Sequence, residues 1–364
     1  MAETSSHDRI LAEYDQKLAL YKALTGAASD LLSKILASDI LQLHSITARC
    51  KDRDSLSHKL HKLGRDYNSL SDLTDVAAVR VTTYFSEDLN TVASKIEQEF
   101  NVDWPNSIDK RTAHEPDRFG YQSVHFVVSI SEARCALAEY SRFRGFKLEI
   151  QVRSILQHAW AEIEHDLGYK SIYGVPRQVR RRFSRVAGLL ELADEEFSGI
   201  RRELKNYAAA MPASIAARPE NVGIDQISIR SLVGMESSVT HRLSADIANL
   251  CRRELLPPTD VTLAGCVRAF ALVGLKTIAD VERMAKLNYD IVIRYLKCMG
   301  GDPPLILEVH EDIGARHLAF ALLSASPGKL YEYVSGFNLP DPHSYVQMQI
   351  SIFEKLRQES AQSL

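Results

Sequence analysis

The sequence predicts an α/β (α+β) unit, a mixed sheet flanked by helices, followed by an all-α C-terminal part. Three observations carry this. Up to about residue 170, short β-rich apolar runs alternate with amphipathic helical stretches. Residues 210–224, rich in Pro, Ala, Gly and Asn, have no periodicity and read as a linker. From 225 to 364 the apolar spacing is almost all helical. A length of 364 residues fits two or three domains. The expected boundaries are a helical segment 1–44, the α/β unit with its trailing helices 45–209, the linker, and the helical domain 225–364.

Composition narrows the class. Hydrophobic content of 45% and charged content of 25% are ordinary for a soluble globular chain. A net charge of -3 argues against bulk binding to nucleic acid or membrane, leaving room for a local basic patch. The five cysteines never form a C-x-x-C pair, which argues against zinc and disulfides and fits a cytoplasmic protein. The polar N-terminus is no signal peptide, and no apolar run approaches the ~18–20 residues of a membrane span.

Each element has its own signal. Residues 8–43 read as helix, with Leu11, Tyr14, Leu18, Tyr21 and Leu24 at three- and four-residue spacing and Gly26 as a candidate break. In SITARCKDRDSLSHKLHKL (45–63), a short strand or loop carries Arg49 and Lys51. Asp54 or Ser55 would cap a helix presenting Lys59 and Lys62. Ser55 and Lys59 share a helix face, so Arg49, Lys51 and Lys59 can converge on a polyphosphate; a solvated basic face is the alternative. The run Val76 to Tyr84 reads as a central strand with Asp75 at its start and Arg80 inside, and a charge in a buried strand needs a partner or ligand. SEDLNTVASKIEQEF (86–100) reads as an amphipathic helix capped by Ser86. Residues 101–118 read as a loop whose Lys110, Arg111 and Arg118 lie over a site.

FGYQSVHFVVSI (119–130) is a glycine turn opening a strand. KLEIQVRSILQHAWAEIEHDLGYK (147–170) is a strand in which Glu149 alternates with Leu148 and Ile150, then a helix carrying His158, Trp160, Glu162 and His165. Asp75 and Glu149 come from different strands. Brought together, two such carboxylates can hold Mg²⁺ against a nucleoside triphosphate. Residues 176–209 read as a long helix or helix pair that begins with Arg177, Arg180, Arg181, Arg182 and Arg185. Arginines at that end oppose the helix dipole and call for anionic partners: acidic residues of a neighbouring chain, a phosphate ligand or RNA. Further on, VGLKTIADVERM resembles half of a helix-hairpin-helix, with a plain helical hairpin the better reading. The C-terminal half shows no catalytic constellation.

Residues 45–200 resemble the synthetase domain of the RelA/SpoT family of alarmone synthetases. ARCKDRDSLSHK resembles the family's ATP-site segment and DLTDVAAVRV its strand with the Mg²⁺-binding aspartate. GYQSVH resembles the guanine-binding loop, and LEIQVRSILQHAWAEIEHDLGYK the second acidic strand and its helix. The resemblance implies a nucleotidyltransferase-like fold and transfer of pyrophosphate from ATP to the 3′-hydroxyl of GDP or GTP, giving (p)ppGpp and AMP. It implies Mg²⁺ on Asp75 and Glu149, the catalytic pair. It implies ATP held by Arg49, Lys51, Ser55, Lys59 and Arg80. The acceptor nucleotide would meet Tyr121, Gln122, Ser123, His125, Gln151, Arg153 and His158. The segment KRTAHEPDRF departs from the family's usual lysine- and proline-containing segment, which leaves the acceptor open. The alternative is a toxic synthetase that acts on the tRNA 3′ end or makes an adenosine alarmone, restrained by its C-terminal domain. A non-enzymatic scaffold would not need Asp75, Glu149, Tyr121 and Arg49 together. Small members of the family often form tetramers, so the resemblance leaves a homo-oligomer open without fixing the oligomeric state. The partner or trigger of the C-terminal domain is left open.

Overall fold

A computed structural model describes residues 6–37, 41–61, 67–109, 123–167, 176–299, 308–337 and 340–362. The chain divides into two compact units, Met1–Arg201 and Arg202–Leu364.

In the first unit, α1 (Ser6–Leu36) leads to β1 (Leu43–Cys50) and α2 (Arg53–Leu60). Then come β2 (Ala77–Thr83), α3 (Asp88–Glu99), β3 (Phe100–Val102), β4 (Ile108–Asp109) and β5 (Val124–Ile130). Two short helices, α4 (Glu132–Cys135) and α5 (Ala138–Ser141), precede β6 (Leu148–Ser154) and α6 (Ile155–Asp166). The helix α7 (Arg177–Ala217) begins in this unit.

Period-two alternation decides how the sheet packs. The strand order is β1-β2-β6-β5-β3, with β4 also on β5. β2 and β6 are parallel and the other pairs antiparallel, so the sheet is mixed, as expected. Val79 and Val81 of β2, Leu148, Ile150 and Val152 of β6, and Phe126 and Val128 of β5 turn one way. They form one core with Ile10, Tyr14 and Leu24 of α1 and Leu89, Val92 and Ile96 of α3. The intervening residues turn the other way. Register sets Arg80 beside Gln151 and Gln151 beside His125, with Ala78, Glu149 and Val127 in the neighbouring row. One face is therefore core and the other is free for chemistry.

The second unit contains α8 (Gln226–Gly234), α9 (Val239–Cys251), α10 (Asp260–Val273), α11 (Ile278–Met299), α12 (Ile313–Leu323), α13 (Pro327–Val334) and α14 (Pro342–Gln362). Its only sheet among the described residues is a parallel pair, β7 (Leu255–Leu256) with β8 (Val309–His310). Gly274 ends α10 in the left-handed region (φ 84°), a conformation that favours glycine. Thr277 then caps α11, its hydroxyl accepting from the Asp280 N–H at 3.2 Å. A Cβ on Gly314 of α12 would lie 2.9 Å from the backbone of Thr240 and Ser244 in α9, so glycine is what permits this helix contact.

Several local expectations change. Gly26 does not break α1, which runs through to Leu36. The cap of α2 is Asp52, not Asp54 or Ser55: its carboxylate accepts the Ser55 N–H at 2.7 Å. Glu87 rather than Ser86 stands at the N-cap of α3. The stretch after α3 forms β3 and β4 before leaving the described residues at 110. Residues 210–217 continue α7 instead of beginning a linker, and Met211, Ile215 and Val222 join the core of the second unit. Burial of those three apolar side chains outweighs the Pro, Gly and Asn content that suggested a flexible connection.

Candidate active site

The free face of the first sheet opens on a cleft of about 580 Å³. Lys59, Tyr67, Asp72, Thr74, Asp75, Pro105, Asn106, Ile108, His125, Val127 and Glu149 line it. Asp75 enters from the turn before β2 and Glu149 from the adjacent strand β6, so strand pairing brings two carboxylates to one cavity.

Each carboxylate has its own partners. Lys59 Nζ lies 2.7 Å from Asp75 Oδ1 and Lys51 Nζ lies 3.0 Å from Oδ2. Burial alone would raise the Asp75 pKa, but the two ammonium groups outweigh it and hold the carboxyl below its ordinary range. Glu149 Oε1 is 2.7 Å from His125 Nδ1, and Oε2 accepts from Gln151 Nε2 at 2.8 Å. Burial again pushes upward, His125 and Gln151 pull down more strongly, and the nearby charge of Asp75 pushes up; the net direction is down. The contacts extend outward. Ser123 Oγ is 2.8 Å from His125 Nε2, and Arg153 donates to Gln151 Oε1 at 2.9 Å.

A second, positive cluster lies on the same face. Arg80 reaches Glu162 of α6 at 3.1 Å and His158 at 3.4 Å. Burial, followed by Arg80, lowers the pKa of Arg153, with Arg49 adding to the effect. His158 is lowered by burial and by Arg80, which favours its neutral form at neutral pH. The face thus offers acidic groups with lysine counterions in the cleft and an arginine-rich area beside it.

Most of the expected residues fall into three sets of direct contacts: Lys51 and Lys59 with Asp75, Ser123, His125, Glu149, Gln151 and Arg153 with one another, and Arg80 with His158. The first two sets meet at the cleft, which Asp75, Lys59, His125 and Glu149 line. Arg49 is exposed on β1, opposite Ala78. Ser55 is exposed in the first turn of α2 and is not among the residues lining the cleft. Tyr121 and Gln122 lie outside the described residues, as do Lys62, Lys110, Arg111 and Arg118. Trp160 is buried, its ring edge-on to Phe183 of α7 at 5.5 Å, and its role is packing. His165 is exposed.

Tyr67, Thr74, Asn106 and Ile108 had no distinguishing signal in the sequence. Asp72, three residues before Asp75, was visible there, but its carboxylate is used locally on the N–H groups of Asn68 and Ser69. No group of three or more His, Cys, Asp or Glu side chains forms a metal cluster among the described residues.

Residues 48–173 match the family model described as a region found in RelA / SpoT proteins. The matched segment contains both carboxylates, Lys51 and Lys59, and the arginine-rich area. The chain is 29% identical to the GTP pyrophosphokinase YjbM of Bacillus subtilis over 168 residues, 45% of this chain and 75% of that protein. It is 24% identical to the GTP pyrophosphokinase YwaC of the same organism over 204 residues, 54% of this chain and 93% of that one. The crystal structure of the small alarmone synthetase 1 from Bacillus subtilis aligns with a TM-score of 0.45 and 26% identity, over 53% of this chain and 98% of that chain.

Proposed function

We propose that the first unit transfers the pyrophosphoryl group of ATP to the 3′-hydroxyl of GDP or GTP, giving a (p)ppGpp alarmone and AMP. One observation carries the reading: Asp75 and Glu149, within the RelA/SpoT region, open on one cleft with lysines on the first and a hydrogen-bonded His–Gln pair on the second. The names of the two related pyrophosphokinases support the same chemistry.

The 3′-oxygen attacks the β-phosphorus of ATP. A bond forms between them, the bond from that phosphorus to the α–β bridging oxygen breaks, and AMP leaves with the electron pair. Such transfers rest mainly on positioning and charge neutralisation. Lys51 and Lys59 would turn from Asp75 to the phosphates. Arg80 and Arg49 would add positive charge where the polyphosphate lies. Glu149 is a weak base because its pKa is lowered. In a loose transition state the hydroxyl proton leaves late, so Glu149 orients the O–H and passes the released proton on to solvent, while His125 and Gln151 fix its carboxylate.

The donor set suits Mg²⁺, which takes one or two carboxylates together with water and substrate phosphates. Asp75 and Glu149 would hold it, and when bound it would neutralise charge on the transferring group. The protein is expected in the cytoplasm; no described helix is long and apolar enough to cross a membrane.

Nucleotide analysis after incubation with Mg²⁺-ATP and GDP, GTP, ATP alone or bulk tRNA tests the reading. A guanosine product with matching AMP release is expected. Product on tRNA alone would replace it with the RNA-modifying alternative, and no AMP under any condition would overturn it.

A further inference from the structure

Ser154 stands where two site-bearing elements meet. It is the last residue of β6, the strand that carries Glu149, Gln151 and Arg153, and the N-cap of α6, the helix that carries His158 and Glu162. Its hydroxyl accepts from the Gln157 N–H at 3.1 Å, and the Gln157 side chain accepts from the Ser154 N–H at 2.9 Å, so the cap is closed from both sides. The same hydroxyl donates to Asp194 Oδ2 of α7 at 2.5 Å. A carboxylate therefore lies at the start of α6, the end of the helix dipole that attracts negative charge. Ser154 is fully buried and Asp194 is 3% exposed, so water does not compete for the contact.

Packing alone does not account for a carboxylate at this depth. A buried charge is costly beside an apolar side chain of similar size, and removing its hydrogen-bond partner is costlier still. α7 already has apolar contacts with this unit: Phe183 meets Trp160 of α6 edge-on at 5.5 Å, and Ala187 is buried. Arg201 pins it further along, paired with Asp88 of α3 at 2.6 Å and lying over the Phe85 ring. Asp194 adds direction rather than area, because a charge-assisted O–H···O⁻ bond is short and weakens steeply when misaligned. The positive cluster hangs on this junction. Arg153 directly precedes Ser154, and its carbonyl accepts from the Thr83 hydroxyl of β2 at 3.4 Å. One turn into α6, His158 lies 3.4 Å from Arg80, and Glu162 one turn later pairs with the same guanidinium at 3.1 Å. A slide or rotation of α6 about Ser154 moves both relative to Arg80 together.

We infer that Asp194 is a positioning residue for the transfer reaction: through Ser154 it fixes the junction of β6 and α6, and with it the setting of Arg153, His158 and Glu162 around Arg80. Its effect on rate rests on the proposed pyrophosphoryl transfer; its effect on geometry does not. Asp194 is not among the residues lining the cleft, and it lies beyond the matched segment 48–173.

Asp194→Asn keeps the shape and removes the charge. With circular dichroism to verify the fold of the full chain, kcat for AMP release is expected to fall about tenfold or more. KM for ATP should stay within about threefold, since the cluster's charge counts most while the phosphoryl group is in transit. Ser154→Ala should act alike, and the double variant should be no slower than the slower single variant to within about twofold, whereas independent sites would multiply. A further reading needs no turnover. His158 is held below its ordinary pKa by burial and then by Arg80, with Glu162 opposing and Arg153 and His44 adding to the lowering. In Asp194→Asn an NMR titration of His158 is expected to move up toward the ordinary value. A loss of thermal stability with kcat and the His158 titration both unchanged would make Asp194 a packing residue and overturn the inference. Single effects that multiply in the double variant would also overturn it. Were the wild type to release no AMP under any condition, the proposed function would fall by itself. The His158 titration would still decide the positioning, upholding it if raised in the variant and overturning it if unchanged. Should Asp194→Asn fail to fold, Ser154→Ala carries both readings.

Discussion

Asp75 and Glu149 stay ionised by different means, ammonium groups for the first and a ring nitrogen with an amide for the second. That difference separates their expected mutant behaviour. Glu149→Gln keeps the shape and removes the charge, so kcat is expected to fall roughly 10³-fold or more, read by AMP release, with the fold retained. Lys59→Met removes one charge-assisted contact and is expected to lower kcat/KM for ATP by about 10–100-fold. The pH dependence follows from direction. Both carboxyls titrate lower in the folded chain than at their ordinary values of 3.8 and 4.5. Below those values the unfolded chain takes up protons more readily, so their stabilisation is present above about pH 5 and is lost as pH falls through the folded pKa values. Urea unfolding of the wild type should be flat from about pH 8 to 6 and fall below about pH 4.5. Lys59→Met raises the Asp75 pKa toward its unfolded value. That variant should be less stable at pH 7 and show a shallower acid fall.

At the scale of the element, the cap of α2 and the glycine of α12 are the sharpest tests. Asp52 orders the first turn of the helix that carries Lys59 to Asp75. Asp52→Ala is expected to cost about 1 kcal/mol, measured by chemical denaturation, and to raise KM for ATP more than it lowers kcat. Gly314→Ala places a methyl against α9 backbone that cannot swing aside. It is expected to destabilise the second unit by about 1–3 kcal/mol while leaving pyrophosphoryl transfer unchanged. Element identity was largely legible: α1, β2, α3, β5, β6 and α6 follow spacing visible in the chain. The misread pieces were those in which a tertiary contact overrides local signal. Pro212 sits inside α7, where sequence alone suggests a linker, and Met211 and Ile215 around it are held in a core. Trp160, to which the sequence assigned no site role, packs against Phe183 of α7.

For the whole molecule, two compact units predict two melting transitions. ATP at about 100 times its dissociation constant should stabilise one of them by about 2.7 kcal/mol and leave the other in place, a result calorimetry can read directly. Glu149 was readable because period-two alternation sets a charge between apolar Leu148 and Ile150, whereas Asp75 and the lysines were singled out by the family resemblance. The kind and order of the main elements were determined by the sequence itself through local periodicity. Tertiary structure alone decided the strand order β1-β2-β6-β5-β3 and, with it, which charges meet. Glu149 bonds to His125, which is 24 residues away, because antiparallel register sets β5 beside β6. Tyr67 and Asn106 line the cleft only because the folded chain brings separate loops to its rim. Such pairings depend on hydrogen-bond register between distant segments, and no local pattern encodes register.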